Sequence, residues 1–245
     1  MNSVLTALRV FEEVALAQPI GLSELSKRLD VPKSTVQRCL RTLADAGWLR
    51  TAPANPGQWV ITGRAFSLGS AMSSGDELRR VALPELGRLQ SETGETVHLA
   101  VPDGNELVLI ERLDSAHQLR AFLALGTRLP LHAASTGKAY LASLPDDRIE
   151  EFLSDGLVSV TDHTVTDPDT LRREIADIRA RGYAVTEQGL HEGIAAVAVA
   201  LRGRSGVVRG CFSISGPASR LTPDLYAPYG TKALAARDAI ERFLP

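Results

Sequence analysis

Pro32-Lys33-Ser34-Thr35-Val36-Gln37-Arg38-Cys39-Leu40-Arg41 is the stretch whose reading decides what this chain is. Val36, Leu40 and Leu43 recur at helical spacing and define an apolar face. Lys33, Ser34, Gln37, Arg38 and Arg41 fall on the other side. Pro32 suits the first turn of the helix, where its missing N–H costs nothing, and Gly47 ends a helix read as Pro32 to Ala46. A helix of this width enters the major groove of B-DNA and presents its N-terminal turns to base edges. Arg38 and Gln37 are the side chains that bond guanine and adenine bidentately. Lys33, Ser34 and Thr35 suit phosphate contacts that fix position, and Arg41, one turn beyond Arg38, reaches either.

Working outward, Val4 to Ala17 carries Val4, Leu5, Leu8, Phe11, Val14 and Ala15 at helical spacing, and Pro19 ends that helix. Ser23 is placed to cap a short helix from Glu24 to Leu29 and joins the candidate DNA contacts. A tight turn at Asp30-Val31 leads into the reading helix. Downstream, Trp48-Leu49-Arg50-Thr51 and Gln58-Trp59-Val60-Ile61 read as strands joined by a Pro53 to Gly57 turn. Three helices and a hairpin in residues 1–62 match the winged helix-turn-helix plan, with Arg50 the lone basic residue of the wing.

Charge supports the division. The whole chain is only −2, but Met1 to Arg64 holds eight Lys/Arg against five Asp/Glu, leaving the acidic excess to the rest. A basic head on an acidic body is expected when one module meets phosphate and the other does not. Cys39 and Cys211 lack any CxxC or Cys/His spacing, and the five histidines are scattered, so neither a disulfide framework nor a metal site is supported. No cofactor motif stands out. The absence of an uninterrupted membrane-length apolar run and of a signal-peptide pattern points to a cytoplasmic protein without a membrane partner.

Residues 63–75 read as a linker: a short helix from Arg64 to Met72 and a hinge at Ser73-Ser74-Gly75. From residue 76 to 245 the pattern changes. A helix from Leu78 to Glu92 precedes strands at Glu95–Val101 and Glu106–Arg112, joined by Asp103-Gly104-Asn105, and a further strand at Leu119–Leu125. Helices follow at Thr136–Ser143, Asp146–Leu153 and Pro168–Arg181. Strands then fall at Tyr183–Glu187, Ile194–Leu201 and Val207–Ser213, and a helix from Thr222 to Phe243 closes the chain. Hairpin-linked strands with helices between them predict an α+β domain built on an antiparallel sheet.

Gly21-Leu22-Ser23-Glu24-Leu25 and Val31-Pro32-Lys33-Ser34-Thr35-Val36-Gln37-Arg38 resemble the helix-turn-helix of the IclR family of transcriptional regulators. Several further blocks resemble that family's effector domain. They are Thr93 to Ala100, Leu129-Pro130-Leu131-His132-Ala133, Gly137-Lys138-Ala139, Thr166-Asp167-Pro168, Arg181 to Val185 and Ser213 to Pro217. The resemblance runs in order through essentially the whole chain. It implies a GAF-like sensor domain, a small-molecule effector such as an organic acid, double-stranded operator DNA as partner, and a homodimer or dimer of dimers. It also implies effector contacts at Ser135, Thr136, Gly137, Thr186, Ala196, Ser213 and Ser215, with apolar lining from Ala121 and Leu129. This sequence departs from the family pattern where Thr186 replaces an acidic residue, Glu187 following it, and where Ala196 replaces a cysteine. Those changes alter the ligand, so glyoxylate and pyruvate are not carried over.

The site also makes physical sense. Ser135-Thr136-Gly137 ahead of a helix offers hydroxyls and free N–H groups to a carboxylate, and Ser213 and Ser215 alternate onto one face of a strand. His191 lies in a loop within reach of a ligand.

Two readings from other classes stand beside the regulator. An enzyme acting on a small acid would need a nucleophile or base pair at catalytic spacing, and none is found. Gly137-Lys138 lacks the P-loop's earlier glycine and its Ser/Thr, and no G-x-S-x-G elbow occurs. A protein-interaction use of the helix-turn-helix would show salt-insensitive or absent DNA binding.

Overall fold

The computed structural model describes residues 3–69 and 73–245. Its contacts divide the chain into two compact units, Met1–Ser73 and Ser74–Pro245.

In the first unit, α1 (Ser3–Ala17), β1 (Ile20–Gly21), α2 (Leu22–Leu29) and α3 (Lys33–Asp45) precede β2 (Leu49–Ala52), β3 (Asn55–Ile61) and α4 (Gly63–Gly69). The three helices close on Val10, Val14, Ile20, Leu25, Val36, Leu40 and Leu49. Each such aliphatic side chain, fully buried, contributes about 1.5–3 kcal/mol. β3 is the middle strand of a small antiparallel sheet, with β1 on one side and β2 on the other.

Several sequence expectations shift here. Ser23 does not cap α2: the cap is Gly21, and Ser23 lies exposed in the first turn. Pro32 is the residue before α3, its carbonyl accepting from the N–H groups of Thr35 and Val36, and the helix begins at Lys33. The wing turn is tighter than Pro53–Gly57, because Asn55, Pro56 and Gly57 already belong to β3. On α1 the buried stripe is Thr6, Val10 and Val14, whereas Val4, Leu5 and Leu8 are exposed. Apolar residues surround this helix, so their spacing left its rotational phase open.

α5 (Ser73–Thr93) starts at the boundary of the two units and holds Ser73-Ser74-Gly75, read from sequence as a hinge, in its first turn. The rest of the expected linker helix, from Ser70 to Met72, lies outside the described residues. There follow β4 (Thr96–Asp103), β5 (Glu106–Leu113), β6 (Arg128–Pro130), α6 (Ser135–Leu141), α7 (Asp146–Ser154), α8 (Pro168–Arg181), β7 (Ala184–Glu187), β8 (Ile194–Arg202), β9 (Val208–Pro217) and α9 (Pro223–Glu241). The strands form one sheet in the order β6-β5-β4-β9-β8-β7, every neighbouring pair antiparallel.

Alternation decides which side chains meet which helices. Val97, Leu99, Val199, Leu201, Phe212 and Ile214 face α5 and α9, which supply Leu86, Leu89, Ala233 and Ile240. On the opposite face Ala100, Leu107 and Cys211 meet Leu141, Ile149, Leu171 and Ile175 from α6, α7 and α8. Local signals explain the sharpest elements: the Asp167 side chain accepts from the Thr170 N–H at the start of α8, and Gly182 ends it in the left-handed conformation at φ 85°.

Leu119–Leu125 is not a strand. It crosses as a strap whose backbone, among the described residues, bonds to the sheet backbone just past its end, where the Gly126 N–H donates to the Leu109 carbonyl and the Leu109 N–H to that of Thr127.

Candidate nucleic-acid interface and ligand cavity

On α3, packing of Val36, Cys39 and Leu40 into the core leaves Lys33, Ser34, Gln37, Arg38 and Arg41 in solvent, with Thr35 half-buried. Among the described residues, Lys33, Arg38 and Arg41 join no ion pair. By contrast, Arg28 on α2 is held by Glu13 and Glu24. The turn before α3 is rigid: Asp30 takes a left-handed φ of 51°, the Val31 N–H donates to the Ser26 carbonyl, and the Ser26 hydroxyl donates to the Val31 carbonyl at 2.7 Å. Ser26 thus ties α2 to the turn that leads into α3, a role the sequence did not signal. Arg50 on β2 is exposed.

In the second unit a cavity of about 290 Å³ opens on the sheet face covered by α6. Ala121, Leu129, Ser135, Thr136, Thr186, Ala196, Ser213 and Ser215, all nominated from sequence, line it together. His191 lines it as well. Gly137 and Glu187 do not. Gly137 lets α6 pass the Leu131 backbone, where an added Cβ would lie 2.4 Å from the Leu131 Cα and carbonyl oxygen. The Glu187 carboxylate instead accepts from the Tyr226 hydroxyl at 3.1 Å. Ser135-Thr136-Gly137 is itself the first turn of α6, with Ala134 at the cap, rather than a loop ahead of it.

The register explains how distant residues share this floor. His98 pairs with Ser213, and Ser215 with Ala196, which pairs in turn with Thr186. Cross-strand partners share a face, and Ser213 and Ser215 are two apart, so all five side chains stand on the same side. The two serine hydroxyls are 3.0 Å apart, and His98 Nδ1 is 3.3 Å from the Ser215 oxygen. Burial, reinforced by the nearby Arg112 charge, pushes the His98 pKa down to about 4, so its imidazole is neutral at ordinary pH.

The strap forms another wall, with Ala121 buried and Leu123 half-buried. Arg112 holds it by donating to the Leu123 carbonyl while its guanidinium lies 4.0 Å from the Phe122 ring centre. Arg220, paired with the buried Glu95, donates to the Leu119 carbonyl at 3.1 Å. Arg120 supplies a cation to the lining.

His98 and Arg120 escaped the sequence reading. A single histidine in a strand looks ordinary, and Arg120 lay in a segment read as strand. The available signal was alternation, which puts His98 and Ala100 on the face away from Val97 and Leu99.

Residues 3–53 match the IclR helix-turn-helix domain, and residues 70–242 match the family described as bacterial transcriptional regulator IclR C-terminal. The HTH-type transcriptional repressor AllR of Klebsiella pneumoniae is 37% identical over 86% of this chain and 77% of its own length. The transcriptional repressor IclR of Escherichia coli strain K12 is 31% identical over 96% of this chain and 87% of its own. Among solved structures, an IclR homologue from Microbacterium hydrocarbonoxydans complexed with 4-hydroxybenzoate superposes with a TM-score of 0.84 at 29% identity, covering 99% of each chain. These relatives are regulators rather than enzymes.

Proposed function

The chain belongs to the IclR family of bacterial transcriptional regulators, and from that premise we propose that it is a repressor that reads its operator with α3 and releases it in response to a small organic acid. The DNA-reading function falls to residues 1–62 and sensing to residues 76–245. The observation that carries this reading is the solvent face of α3, whose cations Lys33, Arg38 and Arg41 are exposed and, among the described residues, join no ion pair that would compete with phosphate. Arg38 and Gln37 contact base edges. Lys33, Ser34 and Thr35, with Ser23 from α2 and Arg41 one turn on, position the helix against the backbone. A homodimer or dimer of dimers presents two equivalent helices, so the operator is pseudo-palindromic.

The cavity is the effector site, with Ser135, Thr136, Thr186, Ser213 and Ser215 as its polar contacts and Ala121, Leu129 and Ala196 as apolar lining. That a relative of similar fold is complexed with 4-hydroxybenzoate supports a ligand of about that size here. An effector shifts operator affinity only as far as it prefers one conformational state of the protein over another. Among the described residues no helix is long and apolar enough to cross a membrane, and the protein works in the cytoplasm, where operator and metabolite meet.

Selection from randomised duplexes by the full-length protein tests the reading. An inverted repeat bound with steep salt dependence, and weakened by a member of a panel of small acids, is expected. Salt-insensitive binding, or no enrichment of any sequence, would overturn it.

A further inference from the structure

The backbone leaves the first unit through α4, and none of the side chains of this helix is buried. Phe66 and Leu68 stand 80% and 54% exposed. Most helices in folded proteins are oriented by packing an apolar face. A helix that buries no such face takes its direction from the contacts that hold its first turn.

Those contacts run to the end of the reading helix. Arg64 donates from Nη1 to the carbonyl of Ala46, the C-cap of α3, at 2.7 Å. Its guanidinium lies 5.0 Å from the Trp48 ring centre, and Trp48 meets Phe11 of α1 edge-on at 5.4 Å. Thr62 adds a second tie: its N–H donates to the Trp48 carbonyl at 2.9 Å and its hydroxyl to the Gly47 carbonyl at 2.7 Å. The Arg64 N–H donates back to that hydroxyl at 3.3 Å. Gly47 turns the chain at a left-handed φ of 78°, and a Cβ there would lie 3.5 Å from Arg64 Nη1, so the guanidinium rests against the turn that ends α3. Among the described residues Arg64 joins no ion pair. Its charge faces the negative end of the α3 dipole and satisfies a carbonyl at a helix terminus.

We propose that Arg64 is a positioning residue for DNA recognition: it locks α4 to the end of α3, so that half-site spacing is read through this joint while base identity is read by Gln37 and Arg38. This rests on the reading above, in which two copies of α3 meet a pseudo-palindromic operator. Ala46 lies about 20 Å along the helix axis from Lys33, so the joint is remote from the N-terminal turns that address base edges. Each base pair added between half-sites displaces one of them by about 3.4 Å and turns it by about a tenth of a revolution. A dimer with a stiff joint must give up contacts at one half-site to follow. A loosened joint lets α3 tilt against α4 and keep them.

The test is titration of the full-length protein, at several salt concentrations, with the duplex selected by the wild type and with versions one base pair longer or shorter between half-sites. The wild type loses about tenfold in affinity on either change, and Arg64→Gln loses less than about threefold. Both keep the same preference for intact over scrambled half-sites and the same salt slope. Arg64→Lys, which keeps a cation and a donor, retains most of the spacing penalty. Thr62→Val removes the hydroxyl tie to Gly47 and relaxes spacing in the same direction, which keeps the inference testable should Arg64→Gln fail to fold. A spacing penalty in Arg64→Gln equal to that of the wild type would overturn it while leaving the regulator reading standing. So would a salt slope lower by about one, which would make Arg64 a phosphate contact. A wild type indifferent to spacing would overturn the symmetric-dimer reading along with it.

Discussion

On α3, Lys33, Gln37, Arg38 and Arg41 stand in solvent, three of them charged and none of those in an ion pair among the described residues. On the cavity floor, His98, Thr186, Ser213 and Ser215 are all buried, none carries charge, and their hydrogen bonds run mostly to one another. The contrast is what the proposed partners, operator DNA for α3 and a small acid for the cavity, would require. Phosphate is hydrated and charged, and it is met by mobile cations whose gain comes from releasing counterions. A small acid must be recognised by shape, which takes a dry, packed site whose few polar atoms are fixed in advance. The contrast predicts that substitutions on the floor disturb stability, whereas substitutions on α3 disturb binding alone.

Gly137→Ala should show the largest effect. Its new Cβ would press on the Leu131 backbone, which cannot move aside as a side chain can, and the variant should lose about 3 kcal/mol of stability in chemical denaturation. A stability unchanged within error would mean that α6 is not tightly seated over the cavity.

Next in size is a pH effect at His98. Because its folded-state pKa is depressed, the unfolded chain takes up this proton first. The stabilisation is present in full above about pH 6.5 and is lost as pH falls toward about 4, amounting to roughly 3 kcal/mol. Denaturation across that range should be flatter for His98→Phe than for the wild type. Parallel curves would mean that this imidazole is not buried neutral.

Smaller again is the double substitution Ser213→Ala with Ser215→Ala, which removes two neutral hydrogen-bonding groups. It should weaken binding of the acid that stabilises the wild type by about tenfold while leaving duplex affinity intact. A full response to that acid would remove both serines from the site.

The two regions also differed in how far the sequence exposed them. The α3 face was legible residue by residue, because a helix's solvent side follows from its core spacing and Val36 and Leu40 fix the phase. The α1 face was not, since Thr6 occupies a core position while Val4, Leu5 and Leu8 are exposed. Most cavity residues came from family resemblance, and local chemistry added the pairing of Ser213 with Ser215. What stayed hidden depends on cross-strand register. His98 comes opposite Ser213 only once β4 is known to pair with β9, and no local pattern states that. The strap at Leu119–Leu125 misled for a related reason: it alternates like a strand, with Ala121 and Leu123 turned inward, but does so against the cavity rather than within the sheet.

The most direct measurement is the affinity of Arg38→Ala for the duplex selected by the wild type, against a scrambled duplex of equal length, with folding stability taken in parallel. The account predicts that specific affinity falls by about 1–3 kcal/mol toward the scrambled value while stability stays within about 0.5 kcal/mol of wild type. Undiminished preference for the selected duplex in a folded Arg38→Ala protein would contradict it.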